Sequence, residues 1–144
     1  MEANIQQPPK SFWIIGAAAL AWNLVGVVVY LGQVTMTPET LASLPPEQQS
    51  LYVDIPAWAT GANGLAVTAG TLGSVLLLLR SGWCVPVFLV SLAAVLVQMY
   101  HAFAMADLMS VMGPASALLP GLIIAIGVGL IWYARYAKES GWFR

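Results

Sequence analysis

Charge is what this chain has least of. Asp, Glu, Lys and Arg supply 8% of its 144 residues, five basic against six acidic, for a net charge of −1. A soluble domain carries about a quarter charged residues, so an ordinary water-facing fold is excluded. Five scattered cations also leave no electrostatic footprint for nucleic acid. Cysteine occurs once, at Cys84, and histidine once, at His101. A lone cysteine rules out an internal disulfide and any multi-cysteine zinc or iron–sulfur site. A lone histidine leaves haem one histidine ligand at most, with no CxxCH motif for attachment. No nucleophile stands beside a placed base, no carboxylates pair, and no phosphate-binding loop occurs. The sequence reads as that of a non-enzyme with no cofactor.

What the chain has in excess is apolar length. Hydrophobic residues make up 60% of it, and its mean hydropathy is +0.82. At a rise of ~1.5 Å per residue, about 20 apolar residues cross a hydrocarbon core. Four runs qualify, at residues 12–34, 56–80, 84–108 and 114–137. The expected fold is therefore an all-α integral membrane protein, a four-helix transmembrane bundle forming one domain over residues 1–144. Ala19-Leu20-Ala21 looks faintly like a signal-peptidase site, but the run around it is too long for a typical signal sequence. It reads as an uncleaved first span behind a polar leader, Met1 to Ser11.

Residues 35–55 form the one long connection, and it is expected to be partly helical. Thr37-Pro38-Glu39 and Pro45-Pro46-Glu47 have the hydroxyl or proline openings of short helices, with Leu41, Leu44, Leu51 and Tyr52 facing the membrane. Asp54 reads as the cap of the second span. Orientation follows from charge. Lys10, Arg80, Arg135, Lys138 and Arg144 share one side, while Glu39, Glu47, Asp54 and Asp107 lie on the other. Under the positive-inside rule both termini are cytoplasmic and the long loop is periplasmic.

Small residues mark the packing faces. In the second span Ala62, Ala66, Gly70 and Ser74 recur every fourth position, beside a parallel row of Thr60, Gly64 and Thr68. Close helix approach in lipid depends on such residues. The fourth span repeats the spacing with Ala117, Gly121, Ala125 and Gly129, so spans two and four are expected to be the close pair, with Pro120 kinking the latter. A stripe left facing lipid would serve a homo-oligomer or a larger membrane complex. The openings Pro56-Ala57-Trp58-Ala59 and Pro114-Ala115-Ser116-Ala117 hint at a duplicated helical hairpin.

Polar residues sort by depth. Tyr30, Gln33, Asn63, Gln98 and His101 all map to the loop half of the membrane, with Asn23 near the middle and Trp22, Gly26, Tyr30 and Gln33 on one face of the first span. Facing lipid is costly for them, so they should turn to each other or to water. Two readings stay open: interhelical hydrogen bonds, or a pocket for a small uncharged polar or amphipathic molecule. For the pocket the candidate ligand-binding residues are Tyr30, Gln33, Trp58, Asn63, Gln98 and His101, with Tyr52 and Trp58 closing over the entrance. The corresponding function is a transport component; the alternative is a non-catalytic accessory subunit. A third reading comes from His101, Met105, Met109 and Met112, spaced as one helical stripe. Thioether and imidazole ligands suit Cu(I), although methionine also fills irregular apolar gaps. No resident metal is assigned.

The set Trp22-Asn23-x-x-Gly26-x-x-x-Tyr30, Gln33, Met36, Pro56-Ala57-Trp58-Ala59, Gly70-x-x-Gly73, Val97-Gln98-Met99, Gly113-Pro114 and Trp132-Tyr133 resembles a family of small bacterial four-helix membrane proteins often labelled "sugar transporter". The likeness runs over nearly the whole chain. It implies a bacterial inner-membrane location and carries over no binding residues and no mechanism. True sugar carriers usually need more than four helices, so transport under this resemblance implies at least a dimer.

Overall fold

The computed structural model describes residues 4–144, and among these every regular element is helical. In chain order they are α1 (Lys10–Val34), α2 (Pro38–Ala42), α3 (Pro46–Gln49), α4 (Ala57–Leu78), α5 (Cys84–Tyr100), a π-helical turn (His101–Met105), α6 (Leu108–Met112), a 3₁₀ turn (Pro114–Ala117) and α7 (Leu118–Glu139). Four stretches are long and apolar enough to cross a membrane: Lys10–Val34, Ala57–Leu78, Cys84–Met105 and Pro114–Glu139.

The boundaries differ from the expected ones where backbone chemistry intervenes. The third span stops at Met105, not residue 108. There the Ala106 N–H bonds to the His101 carbonyl, five residues back, and Asp107 then turns left-handed with φ 50°. Thr37 caps α2, its Oγ1 accepting from the Thr40 N–H at 3.2 Å. Asp54 does not cap α4. It too is left-handed, with φ 56°, and Pro56 occupies the cap position without a side-chain bond. Pro120 falls in the opening turn of α7, where its missing N–H has no α-helical partner in any case. The irregularity appears before it, as the 3₁₀ turn. Pro114 thus opens a 3₁₀ turn while Pro56 precedes a regular helix, so the two Pro-Ala openings do not fold alike. Residues 1–3 of the leader, Met1 among them, lie outside the described residues.

The packing order is α1–α4–α5–α7: α4 and α5 form the central hairpin, α1 lies on α4, and α7 lies on α5. The expected close pair of spans two and four is therefore overturned. The small residues of α4 receive large side chains from its actual neighbours. A Cβ placed on Gly73 would lie 2.7 Å from the Phe88 ring of α5. One on Gly64 would lie 2.7 Å from the Tyr30 hydroxyl of α1, and one on Gly70 would strike the Asn23 amide. By contrast, a Cβ on Gly121 or Gly129 of α7 would meet nothing within 4 Å. That stripe is exposed, and α7 seats on α5 through a different glycine, Gly127, which faces Leu92.

The best-buried cluster sits at the end of the bundle where both termini lie. It comprises Phe12, Leu77, Cys84, Phe88, Ala134 and Ala137. Phe12 packs edge-on to Trp13, Trp142 and Phe143 and stacks with Tyr133. Arg80 closes this end. It follows α4 as the left-handed residue of a Schellman turn, φ 60°, with the Arg80 N–H bonded to the Leu77 carbonyl and the Ser81 N–H to the Leu76 carbonyl, both at 2.9 Å. Its side chain is buried; Nε donates to the Trp142 carbonyl at 2.6 Å and Nη2 to the Gln6 carbonyl at 3.0 Å. Its own carbonyl accepts from the Arg144 N–H, and the Gln6 N–H reaches the Gly141 carbonyl. One arginine thereby ties the leader, the turn between α4 and α5, and the C-terminal tail together.

Candidate ligand cleft

Because α1 and α7 are the two outer members of the packing order, a cleft of about 300 Å³ remains between them, floored by α4 and α5. All four spans line it. Its walls are largely aliphatic, from Val25 and Val29 on α1 and Ile123 and Ile126 on α7. Polar groups enter from α1 (Asn23, Tyr30), α4 (Asn63) and α5 (Ser91, Gln98). None of these carries a fixed charge.

Of the six residues predicted to bind ligand, Tyr30, Asn63 and Gln98 line the cleft, while Gln33, Trp58 and His101 do not. Gln33 sits one step behind it, its Oε1 accepting from Asn63 Nδ2 at 3.1 Å. Here the interhelical-bond reading and the pocket reading meet: Gln33 orients Asn63, and Asn63 faces the cleft. Trp58 and His101 form their own edge-to-face pair, with ring centroids 5.6 Å apart. Trp58 and Tyr52 are each at least two-fifths exposed. The first-span face is oriented as its spacing predicts, with Trp22, Gly26 and Tyr30 all on the lining.

Asn23, Ser91 and Met99 also line the cleft, although none was among the predicted ligand-binding residues. Asn23 was legible as polar, but its partner was not. Its Nδ2 donates to the Ala19 carbonyl at 2.9 Å and to Ser74 Oγ at 3.2 Å, bridging α1 to α4. Gly70 is what admits it, since any side chain there would collide with the amide. Ser91 Oγ donates to the Ala66 carbonyl at 2.8 Å, a second cross-helix link on the cleft floor. Ser91 shares a helical face with Gln98, seven positions on, but the carbonyl it bonds on α4 is not encoded locally.

The methionine stripe does not survive as a single helical face. His101 and Met105 lie on the π-helical turn, the chain reverses at Asp107, and Met109 and Met112 belong to α6. Among the described residues no three His, Cys, Asp or Glu side chains gather as a metal site. Searches against protein-family models, curated proteins and solved structures return no match to this chain.

Proposed function

We propose that this is a small multi-pass protein of the bacterial inner membrane, serving as a transport component that binds an uncharged amphipathic molecule between α1 and α7. The observation that carries the reading is the composition of the cleft: aliphatic walls with neutral amides and hydroxyls at fixed places. Its size reaches the lower end of small-molecule sites, about 300 Å³. A bare cation calls for carboxylates, and Asp54 and Asp107 are outside the lining. A free sugar presents hydroxyls all round, and aliphatic walls return too few of the hydrogen bonds it gives up to water. A molecule with a polar head and an apolar body, such as a quinone or a monoacylglycerol, matches both parts. We assign it a binding role rather than a catalytic one.

The test uses the full chain in mild detergent, titrated with a short-chain quinone and with a monoacylglycerol under native mass spectrometry. Gln98→Leu and Asn63→Leu are expected to abolish binding while lowering stability little, since a membrane hydrogen bond contributes ~0.6 kcal/mol on average. Unchanged binding, or a large loss of thermal stability with no ligand effect, would reject the cleft as a ligand site.

A second reading, a non-catalytic accessory subunit, is favoured by the exposed Gly121 and Gly129 face of α7. Stoichiometric co-purification of another membrane protein would select it. Either role carries the same orientation, with termini in the cytoplasm, because all five basic residues lie at the termini end. With the buried Cys84 inert, Ser43→Cys should react with a membrane-impermeant maleimide from the periplasmic side and Ser140→Cys should not. The opposite pattern inverts the topology.

A further inference from the structure

A second groove, meeting the cleft only at Leu92, runs along the outward side of the α5–α7 contact near the termini. Leu89, Val128 and Ile131 line it, the Trp132 and Tyr136 rings flank it, and Arg135 and Glu139 complete its polar end. The two rings are stacked, with centroids 5.9 Å apart and planes 11° from parallel. Arg135 and Glu139 are both exposed. We propose that this groove is a site for a zwitterionic phospholipid with a primary-amine head, phosphatidylethanolamine by chemistry.

Three features point to that occupant. The first is depth. The apolar floor lies toward the middle of the span, and the aromatic pair and the charges lie toward its end, the order in which a lipid presents its chains, interface and head. The second is the order of the two charges. Arg135 comes one helical turn before Glu139, hence deeper in the membrane. In phosphatidylethanolamine the phosphate likewise lies deeper than the ammonium, from which a short two-carbon link separates it. Arg135 meets the phosphate with a forked, charge-assisted contact, and Glu139 accepts from the ammonium N–H groups.

The third feature is that Glu139 is poorly served without a ligand. An acidic residue four positions before a basic one is the favourable helical order, and here the order is reversed. Glu139 also stands in the last turn of α7, where the helix dipole disfavours a carboxylate. Lys138 is turned to another side of the helix, its Cε 3.9 Å from the Cβ position of Gly82. A phosphatidylglycerol head satisfies Arg135 but leaves Glu139 facing a second anion, and a choline head offers Glu139 no N–H.

The experiment is native mass spectrometry of the delipidated full chain, titrated separately with phosphatidylethanolamine, phosphatidylglycerol and phosphatidylcholine of matched chains. The wild type is expected to prefer phosphatidylethanolamine by about fivefold, the reach of one well-formed exposed ion pair. Glu139→Gln should erase the preference over phosphatidylglycerol, and Arg135→Gln should weaken both phospholipids about equally. Both positions are exposed, so the lipid-free melting temperature of each variant should match wild type, which separates lost binding from lost fold. Equal affinity for all three lipids, a preference untouched by Glu139→Gln, or a wild-type dimer whose interface covers Trp132 would overturn the proposal.

Discussion

Leucine at Gly73 should cost the bundle its fold, and leucine at Gly70 should do nearly the same. At Gly73 even a methyl group meets the Phe88 ring at 2.7 Å, and Phe88 belongs to the best-buried cluster. The ring has nowhere to retreat without opening that cluster. At Gly70 the obstacle is the Asn23 amide, so the larger residue both overpacks the α1–α4 contact and breaks the link to Ser74. Overpacking a close-packed interface costs about 3 kcal/mol or more, enough to lower the melting temperature by about 10 °C in a chain of this size. Gly121→Leu and Gly129→Leu supply the contrast, because both point into open space. They should leave the monomer's melting temperature unchanged. If the protein self-associates through α7, they should also reduce its native mass, and an unchanged oligomer mass would remove α7 as the contact. Equal thermal losses at all four positions would mean that the packing order described above is wrong.

Arg80 is the second position of large effect. Replacing it with leucine removes its bonds to the Trp142 and Gln6 carbonyls. Hydrogen bonds from a charged group contribute about 1.5–3 kcal/mol each, so a loss of about 3 kcal/mol is a conservative expectation. Leucine also keeps the left-handed strain of φ 60°, about 1 kcal/mol for a residue with a Cβ. Arg80→Gly relieves that strain while losing the same bonds, so its melting temperature should lie above that of Arg80→Leu and below wild type. Both variants should expose the Trp142 and Phe143 peptide bonds to chymotrypsin. A wild-type melting temperature with an uncut tail would show that the arginine holds nothing.

These two cases mark where the sequence could be read and where it stopped. Span number and approximate limits were legible because hydrocarbon thickness sets helix length regardless of what packs on what. Partner choice was not. A glycine every fourth residue says that something comes close, not which helix does, and the α4 and α7 stripes look alike in the chain. They differ only because Tyr30, Asn23 and Phe88 fill one and nothing fills the other. Arg80 carried a second ambiguity. As one of five cations it correctly marked an end of the bundle, but its burial depends on Trp142 returning from the far end of the chain, which no local pattern encodes. Asp54 failed in a related way. Aspartate before a helix suggests a cap, yet Asp54 takes the left-handed backbone that aspartate also tolerates. In the cleft, Tyr30, Asn63 and Gln98 were found because membrane depth alone makes an uncharged polar residue conspicuous. Gln33, Trp58 and His101 lie off the lining, because depth does not say which side of a helix a side chain occupies.

The position of the cleft in the packing order has a mechanical corollary. Its facing walls, α1 and α7, are the first and last spans and have no connecting segment between them, since the three connections join α1 to α4, α4 to α5 and α5 to α7. At the far end from the loop, the Arg80 bonds and the Phe12–Tyr133 stack act as a pivot. Parting the walls at the other end therefore stretches no covalent segment, and is opposed there by side-chain contacts and by the packing of α3 on α6. In the manner of a clothes-peg, the bundle is tied by hydrogen bonds and ring packing at its hinge and held by packing alone at its jaws.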